Sequence, residues 1–135
     1  MFDYDREQVK KDEGFRRHVY QCTEGKNTIG YGFNLDAGIS EELASVILDE
    51  QLHAVATSLR QNISSFDGFP DEVKNVLCNM GFQLGVSGLL KFKRTIAALE
   101  LGMYEDAAKE MLDSKWARQT PNRAKRLSDR IRALA

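Results

Sequence analysis

The sequence is poor in the residues that staple or stiffen small proteins, with two cysteines, two prolines and two histidines among 135. Cys22 and Cys78 are too few for a disulfide framework, and the opening MFDYDREQVKKDEG has no apolar stretch to serve as a signal-peptide core. The expected state of both thiols is therefore reduced, and the expected starting place of the chain is the cytosol. Zinc-ligand spacing is absent around His18 and His53, so neither a metal nor another cofactor is expected. No run approaches the roughly 18 apolar residues that a membrane span requires. What is there, 42% hydrophobic and 29% charged residues with ten glycines, excludes collagen-like, low-complexity and wholly disordered classes. The length suits a single domain, residues 1–135, expected to act as a monomer.

The net charge of −1 hides an uneven distribution. Between Ser114 and Ala135 seven cations face one anion, Asp129, for a net +6, which leaves −7 on the rest of the chain. A basic end of this kind suits an anionic polymer, and it equally suits a solvated helix face. Nucleic acid is not the expected polymer, because no nucleic-acid motif accompanies the arginines and Trp116 is the one aromatic among them.

Hydrophobic spacing predicts a mainly helical α+β protein. A first helix is expected from about Asp3 to Asp12, with Phe2, Tyr4 and Val9 sharing a side, and it should stop near Gly14. Turn residues between Thr23 and Asn27 and the strand-like Thr28-Ile29-Gly30-Tyr31-Gly32-Phe33 predict a small antiparallel sheet between about Arg16 and Leu35. Ser40, followed by Glu41 and Glu42, is a good N-cap for a long helix to about Asn62, with Leu48, Leu52, Val55 and Leu59 at helical spacing. At 1.5 Å per residue it would reach roughly 30 Å, enough to join two lobes, a sheet lobe of about 13–60 and a helical lobe of about 61–135 that includes the N-terminal helix.

After a loop at Ser64–Phe69, Pro70 is expected to open a central core helix carrying Val73, Val76, Leu77, Met80 and Leu84. Short helices are expected at Gly88–Phe92, Thr95–Leu101 and Tyr104–Asp113. In the last helix Thr120 should cap, Pro121 should start, and Ala124, Leu127, Ile131 and Leu134 should line the buried side.

The chemistry starts at Glu13. A carboxylate in the last turn of a helix faces the partial negative charge of that terminus, which resists ionisation and favours the protonated acid that a proton donor needs. Taken singly, the same residue is an ordinary exposed glutamate. Its surroundings are more specific: Glu13, Cys22 and Thr28 fall in the frame Glu, eight residues, Cys, five residues, Thr, and Thr28 opens TIGYGFN.

With DEGFRRHVY, TEGKNTIGYG, NMGFQLGVSGLLKF and WARQTPNRAKR, this frame resembles the phage-type lysozymes of glycoside hydrolase family 24. Their pattern is Glu, eight residues, Asp or Cys, five residues, Thr. The likeness runs from about Asp12 to Arg126.

The resemblance implies a lysozyme-like fold and endo-hydrolysis of the bond between N-acetylmuramic acid and N-acetylglucosamine in bacterial peptidoglycan. Glycosidic bonds break through an oxocarbenium-like state, which calls for a proton on the departing oxygen and a placed water or nucleophile on the opposite face of the sugar. The implied catalytic set is Glu13 as acid, Thr28 holding the water, and Cys22 where other members carry a carboxylate. A thiol with an ordinary pKa near 8.5 is only about 3% thiolate at pH 7, so Cys22 is open to three roles: water-orienting thiol, minority thiolate acting as base or nucleophile, or spectator.

Arg123 matches a family arginine that lies near the catalytic glutamate, with an orienting role, or it caps and solvates the last helix. Phe82 and Gln83 lie on the helix face that the resemblance places against glycan, Phe82 being equally suited to core packing. Asn34 and Thr95 match substrate-contact positions; by residue type they are a loop residue and a helix cap. Phe33 departs from the histidine of many relatives, and Trp116 is expected to anchor the core.

The implied protein is an endolysin that works on the wall from the host cytoplasm once a holin has permeabilised the membrane. A catalytically weak peptidoglycan-binding module is the alternative.

Overall fold

In the computed structural model, which describes residues 2–135, Asp5 starts the first helix: its side chain accepts the Gln8 N–H at 3.1 Å. Helix α1 (Arg6–Glu13) ends where Gly14, at φ 73°, returns its N–H to the Lys10 carbonyl at 2.9 Å. The left-handed φ is open to glycine without a Cβ penalty. The helix buries no residue, contrary to the expected apolar side. Phe2 and Tyr4 precede it and pack edge to face at 5.8 Å, and Val9, the one apolar residue within it, is exposed.

The sheet stands where the turn signals put it. Strands β1 (Arg16–Gln21), β2 (Asn27–Gly30) and β3 (Phe33–Asn34) pair antiparallel in that order, with Tyr20 opposite Thr28 and Thr28 opposite Asn34. The β1–β2 turn is closed by Cys22 N–H to Lys26 O at 3.0 Å and Gly25 N–H to Cys22 O at 2.8 Å. Asp36 braces the far side, accepting from both the backbone and the side-chain nitrogens of Asn27 at 3.1 Å. Asn34 in turn accepts the Asp36 N–H at 3.0 Å and opens a short 3₁₀ turn, Leu35–Ala37.

Two compact units result, the first running to Val46 and the second covering Ile47–Ala135. Helix α2 (Glu41–Asn62), capped by Ser40 Oγ on the Leu43 N–H at 3.1 Å, begins in one and continues in the other. Its 22 residues correspond to about 33 Å.

The hydrophobic core lies in the second unit. Helix α3 (Asp71–Leu84) places Val73, Val76, Leu77 and Met80 out of solvent among Leu59, Phe66, Leu89, Met111 and Ile131, each large side chain contributing roughly 1.5–3 kcal/mol of burial. Pro70 is the N-cap and not the first helical residue, with an extended ψ of 152°. Helices α4 (Val86–Leu89), α5 (Lys93–Glu100) and α6 (Tyr104–Leu112) follow near their expected positions.

Helix α7 (Lys115–Gln119), capped by Ser114 on the Ala117 N–H, is an addition; five residues are too few to register as a hydrophobic period. Helix α8 (Pro121–Arg132) buries Ala124, Leu127 and Ile131. Thr120 precedes it without capping it by its side chain, because that hydroxyl donates to Trp116 O at 2.9 Å.

Candidate active site

Glu13 is the last residue of α1, with its side chain exposed. Its carboxylate lies over Gly32, in the two-residue link Tyr31-Gly32 between β2 and β3: a Cβ built on Gly32 would stand 2.9 Å from Glu13 Oε2. Tyr31 packs on Phe15 at 5.6 Å between ring centroids and carries Lys10 Nζ 5.6 Å from its own. Both partners flank Glu13 in the chain.

Cys22 and Thr28 meet at the β1–β2 turn. The backbone N–H groups of Lys26 and then Glu24, with a smaller contribution from the Thr28 hydroxyl, favour the thiolate and lower the Cys22 pKa from its ordinary value; partial burial and Glu24 oppose them. Thr28 is 5% exposed, and its hydroxyl donates to the Lys26 carbonyl at 2.9 Å. A hydroxyl has one proton and two acceptor lone pairs, so in this arrangement Thr28 can accept from a water. Cys22 and Cys78 are both free thiols, and burial raises the pKa of Cys78.

Among the remaining residues singled out in the sequence, Asn34 lies in the first unit and uses its side-chain oxygen as the 3₁₀ cap already described. In the second unit Arg123 clasps Asn79, with Nε at 2.9 Å and Nη2 at 2.7 Å from the amide oxygen and Nη2 at 3.3 Å from the backbone carbonyl. Gln83 accepts the Trp116 indole N–H at 2.8 Å, which fixes the amide with its NH₂ pointing away from the ring. Phe82 is 40% exposed, and Thr95 is buried at 2%. Trp116 is buried against Phe92, edge to face at 6.0 Å, as a core anchor should be.

Thr95, Phe92 and Trp116 border a pocket of about 560 Å³ within the second unit. Its rim carries Lys91, Lys93, Arg94 and Lys115 together with Glu110 and Asp113, and no ion pair joins these six among the described residues. The basic C-terminal stretch is more nearly neutral locally than its net charge suggests. Lys125 pairs with Asp129 at 2.7 Å, Arg132 with Glu105 at 3.1 Å, and Arg130 with Glu72. The hydrogen bond from Arg130 lowers the Glu72 pKa, and that from Lys125 lowers the pKa of Asp129. Lys115, Arg118 and Arg126 have no carboxylate within ion-pair distance among the described residues.

Two positions have no role assigned from the sequence: Gly32, expected within one strand-like stretch that the structure breaks at Tyr31-Gly32, and Asn79, whose partner is 44 residues away. No local pattern announces the second. The described residues contain no group of His, Cys, Asp and Glu suited to a metal ion, and no helix long and apolar enough to cross a membrane.

Comparison with known proteins adds the family. The phage lysozyme family profile matches residues 10–133. The chain is 30% identical to the probable T4-type lysozyme 1 of Dictyostelium discoideum, over 90% of this chain and 89% of that protein. It is 29% identical to the endolysin of Acyrthosiphon pisum secondary endosymbiont phage 1, over 84% and 77%. It is 28% identical to the pre-baseplate central spike protein Gp5 of Enterobacteria phage T4, over 90% of this chain and 26% of that protein. The mainly helical α+β fold with its three-stranded sheet agrees, and the chain belongs to the phage lysozyme family of glycoside hydrolases.

Proposed function

We propose that the protein is an endolysin muramidase, hydrolysing the β-1,4 bond between N-acetylmuramic acid and N-acetylglucosamine and so lysing the host cell. Glu13 donates the proton to the departing glycosidic oxygen. Its side chain is exposed in the free protein, so a bound glycan must exclude water from it. Thr28 and Cys22 hold the attacking water, Thr28 as acceptor and Cys22 as a water-orienting group that the turn's N–H donors bias toward thiolate. That bias also supports Cys22 as the base.

The observation that supports this reading is the closed β1–β2 turn, where Cys22 N–H and the Thr28 hydroxyl both donate to the Lys26 carbonyl, in the unit that also holds Glu13: a candidate proton donor and a candidate water site from one short stretch of chain. In the second unit, Gln83 has its NH₂ without a partner among the described residues and able to donate to an N-acetyl carbonyl, and Phe82 is partly exposed. Arg123 is held for an orienting role through Asn79. Asn34, the 3₁₀ cap of the first unit, and Thr95, a buried wall of the pocket in the second, are each assigned a supporting role for substrate within their own unit. Charges of both signs around that pocket, unpaired among the described residues, suit the peptide substituents of the glycan, which carry both ammonium and carboxylate groups.

The protein acts from the host cytoplasm as a monomer, reaching the wall after a holin opens the membrane. Mass spectrometry of digested wall tests the reaction. Reducing-end muramic acid, with oxygen-18 entering from labelled water, is expected; an anhydro-sugar product would indicate transglycosylation. Wall binding without soluble muropeptides would indicate a binding module.

A further inference from the structure

Glu13 rests in a space that any side chain at residue 32 would fill. An ideal Cβ on Gly32 falls 2.9 Å from Oε2 and 3.5 Å from the carboxyl carbon of Glu13. The first distance is shorter than real Cβ contacts, so a methyl group there forces the carboxylate to swing away. The backbone adds a second requirement, since φ at Gly32 is +87°, a region that L side chains rarely occupy. The preceding residue fixes where this space lies. Tyr31 is packed between Phe15 and Lys10, one after and one before Glu13, which fastens the β2–β3 link to the C-terminal end of α1.

We infer that the dipeptide Tyr31-Gly32 is the positioning element for the proton donor: Tyr31 clamps the link against α1, and Gly32 supplies the gap in which the Glu13 carboxyl is seated. The inference rests on the role proposed above for Glu13. A proton donor must lie within hydrogen-bond reach of the glycosidic oxygen, and a displacement of about 1 Å can cost about 100-fold in rate. Neither residue touches the reacting bond; both act through the placement of Glu13.

The chain contains its own control. Gly30 also has a positive φ, +69°, but a Cβ there meets nothing within 4 Å. Gly30→Ala therefore imposes backbone strain without displacing the carboxylate, whereas Gly32→Ala imposes both. Tyr31 is 44% exposed, so Tyr31→Ala removes the clamp without opening a core.

The test is steady-state hydrolysis of purified peptidoglycan by Gly32→Ala, Gly30→Ala, Tyr31→Ala, Tyr31→Phe and Glu13→Gln, with melting temperatures measured alongside. Gly32→Ala is expected to lose about 100-fold in kcat relative to Gly30→Ala at similar KM. Tyr31→Ala should also lose kcat, and Tyr31→Phe, which keeps the ring, should restore it. Equal kcat for Gly32→Ala and Gly30→Ala, a loss confined to KM, or failure of the phenylalanine to rescue would overturn the positioning role while leaving Glu13 as the acid. If Glu13→Gln itself keeps full turnover, the acid assignment and the positioning role fall together.

Discussion

Arg123 holds Asn79 through two of its nitrogens on one amide oxygen, tying the first turn of α8 to the middle of α3 across 44 residues of sequence. Both residues are partly buried, and a hydrogen bond to a charged group contributes about 1.5–3 kcal/mol. Arg123→Ala and Asn79→Ala should each lower stability in that range, and the double variant should lose less than the sum of the two. Denaturant unfolding of all three checks the coupling. Additive losses would show that the contact is incidental.

Gln83 separates a structural from a substrate role. Gln83→Leu leaves the buried Trp116 N–H without an acceptor, a loss of about 1–3 kcal/mol measurable by thermal unfolding. Gln83→Glu keeps an oxygen for Trp116 and removes the free NH₂ donors. It should remain stable and raise KM for peptidoglycan, with kcat less affected. An unchanged KM would remove Gln83 from the glycan surface.

Ile131 reports on how α8 is held. The side chain is fully buried, so Ile131→Ala should cost about 2–5 kcal/mol through lost contacts and a residual cavity. Arg126→Ala, on the solvent face with no carboxylate partner among the described residues, should change stability by less than about 0.5 kcal/mol. Differential scanning calorimetry distinguishes the two.

The two thiols should titrate in opposite directions from an ordinary cysteine. The turn's N–H groups lower the Cys22 pKa, and burial raises that of Cys78. Iodoacetamide should therefore alkylate Cys22 in the native protein from a lower pH than in the unfolded chain, while Cys78 reacts later.

The linkage signs follow. Between its folded and unfolded pKa values the unfolded state holds more of the Cys22 proton, so that thiol makes stability rise with pH; Cys78, with the native state holding more, makes it fall. Mass-resolved alkylation across pH 6–10 reads both midpoints, and simultaneous alkylation of the two would contradict the assignment.

Most of the fold was legible because its signals are local. Gly14 stops α1, Ser40 caps α2, and the spacing of Val73, Val76, Leu77 and Met80 marks α3 as the core helix. The misses have local causes too. In α1 a single apolar residue, Val9, stands among charges, so no buried face forms. Thr120 has the residue type of a cap but spends its proton on Trp116 O, and α7 is shorter than two turns.

The candidate site was legible differently. The frame of Glu13, Cys22 and Thr28 stood in the sequence, but the contacts that shape it did not. The Lys26 and Glu24 N–H groups on Cys22 depend on the closed turn, and the Gly32 gap depends on α1 and the sheet meeting. Even the basic C-terminus misleads as a sequence, since Glu72 and Glu105 come from distant helices to pair with Arg130 and Arg132.

The central claim is that the side chain of Glu13 delivers the proton to the leaving sugar. The most direct measurement is the rate of soluble muropeptide release from purified wall by Glu13→Gln, compared with the parent at equal protein concentration. A variant that melts at the parent's temperature and releases muropeptides at least about 100-fold more slowly is the predicted result. A folded Glu13→Gln enzyme that clears the wall at the parent's rate would contradict it.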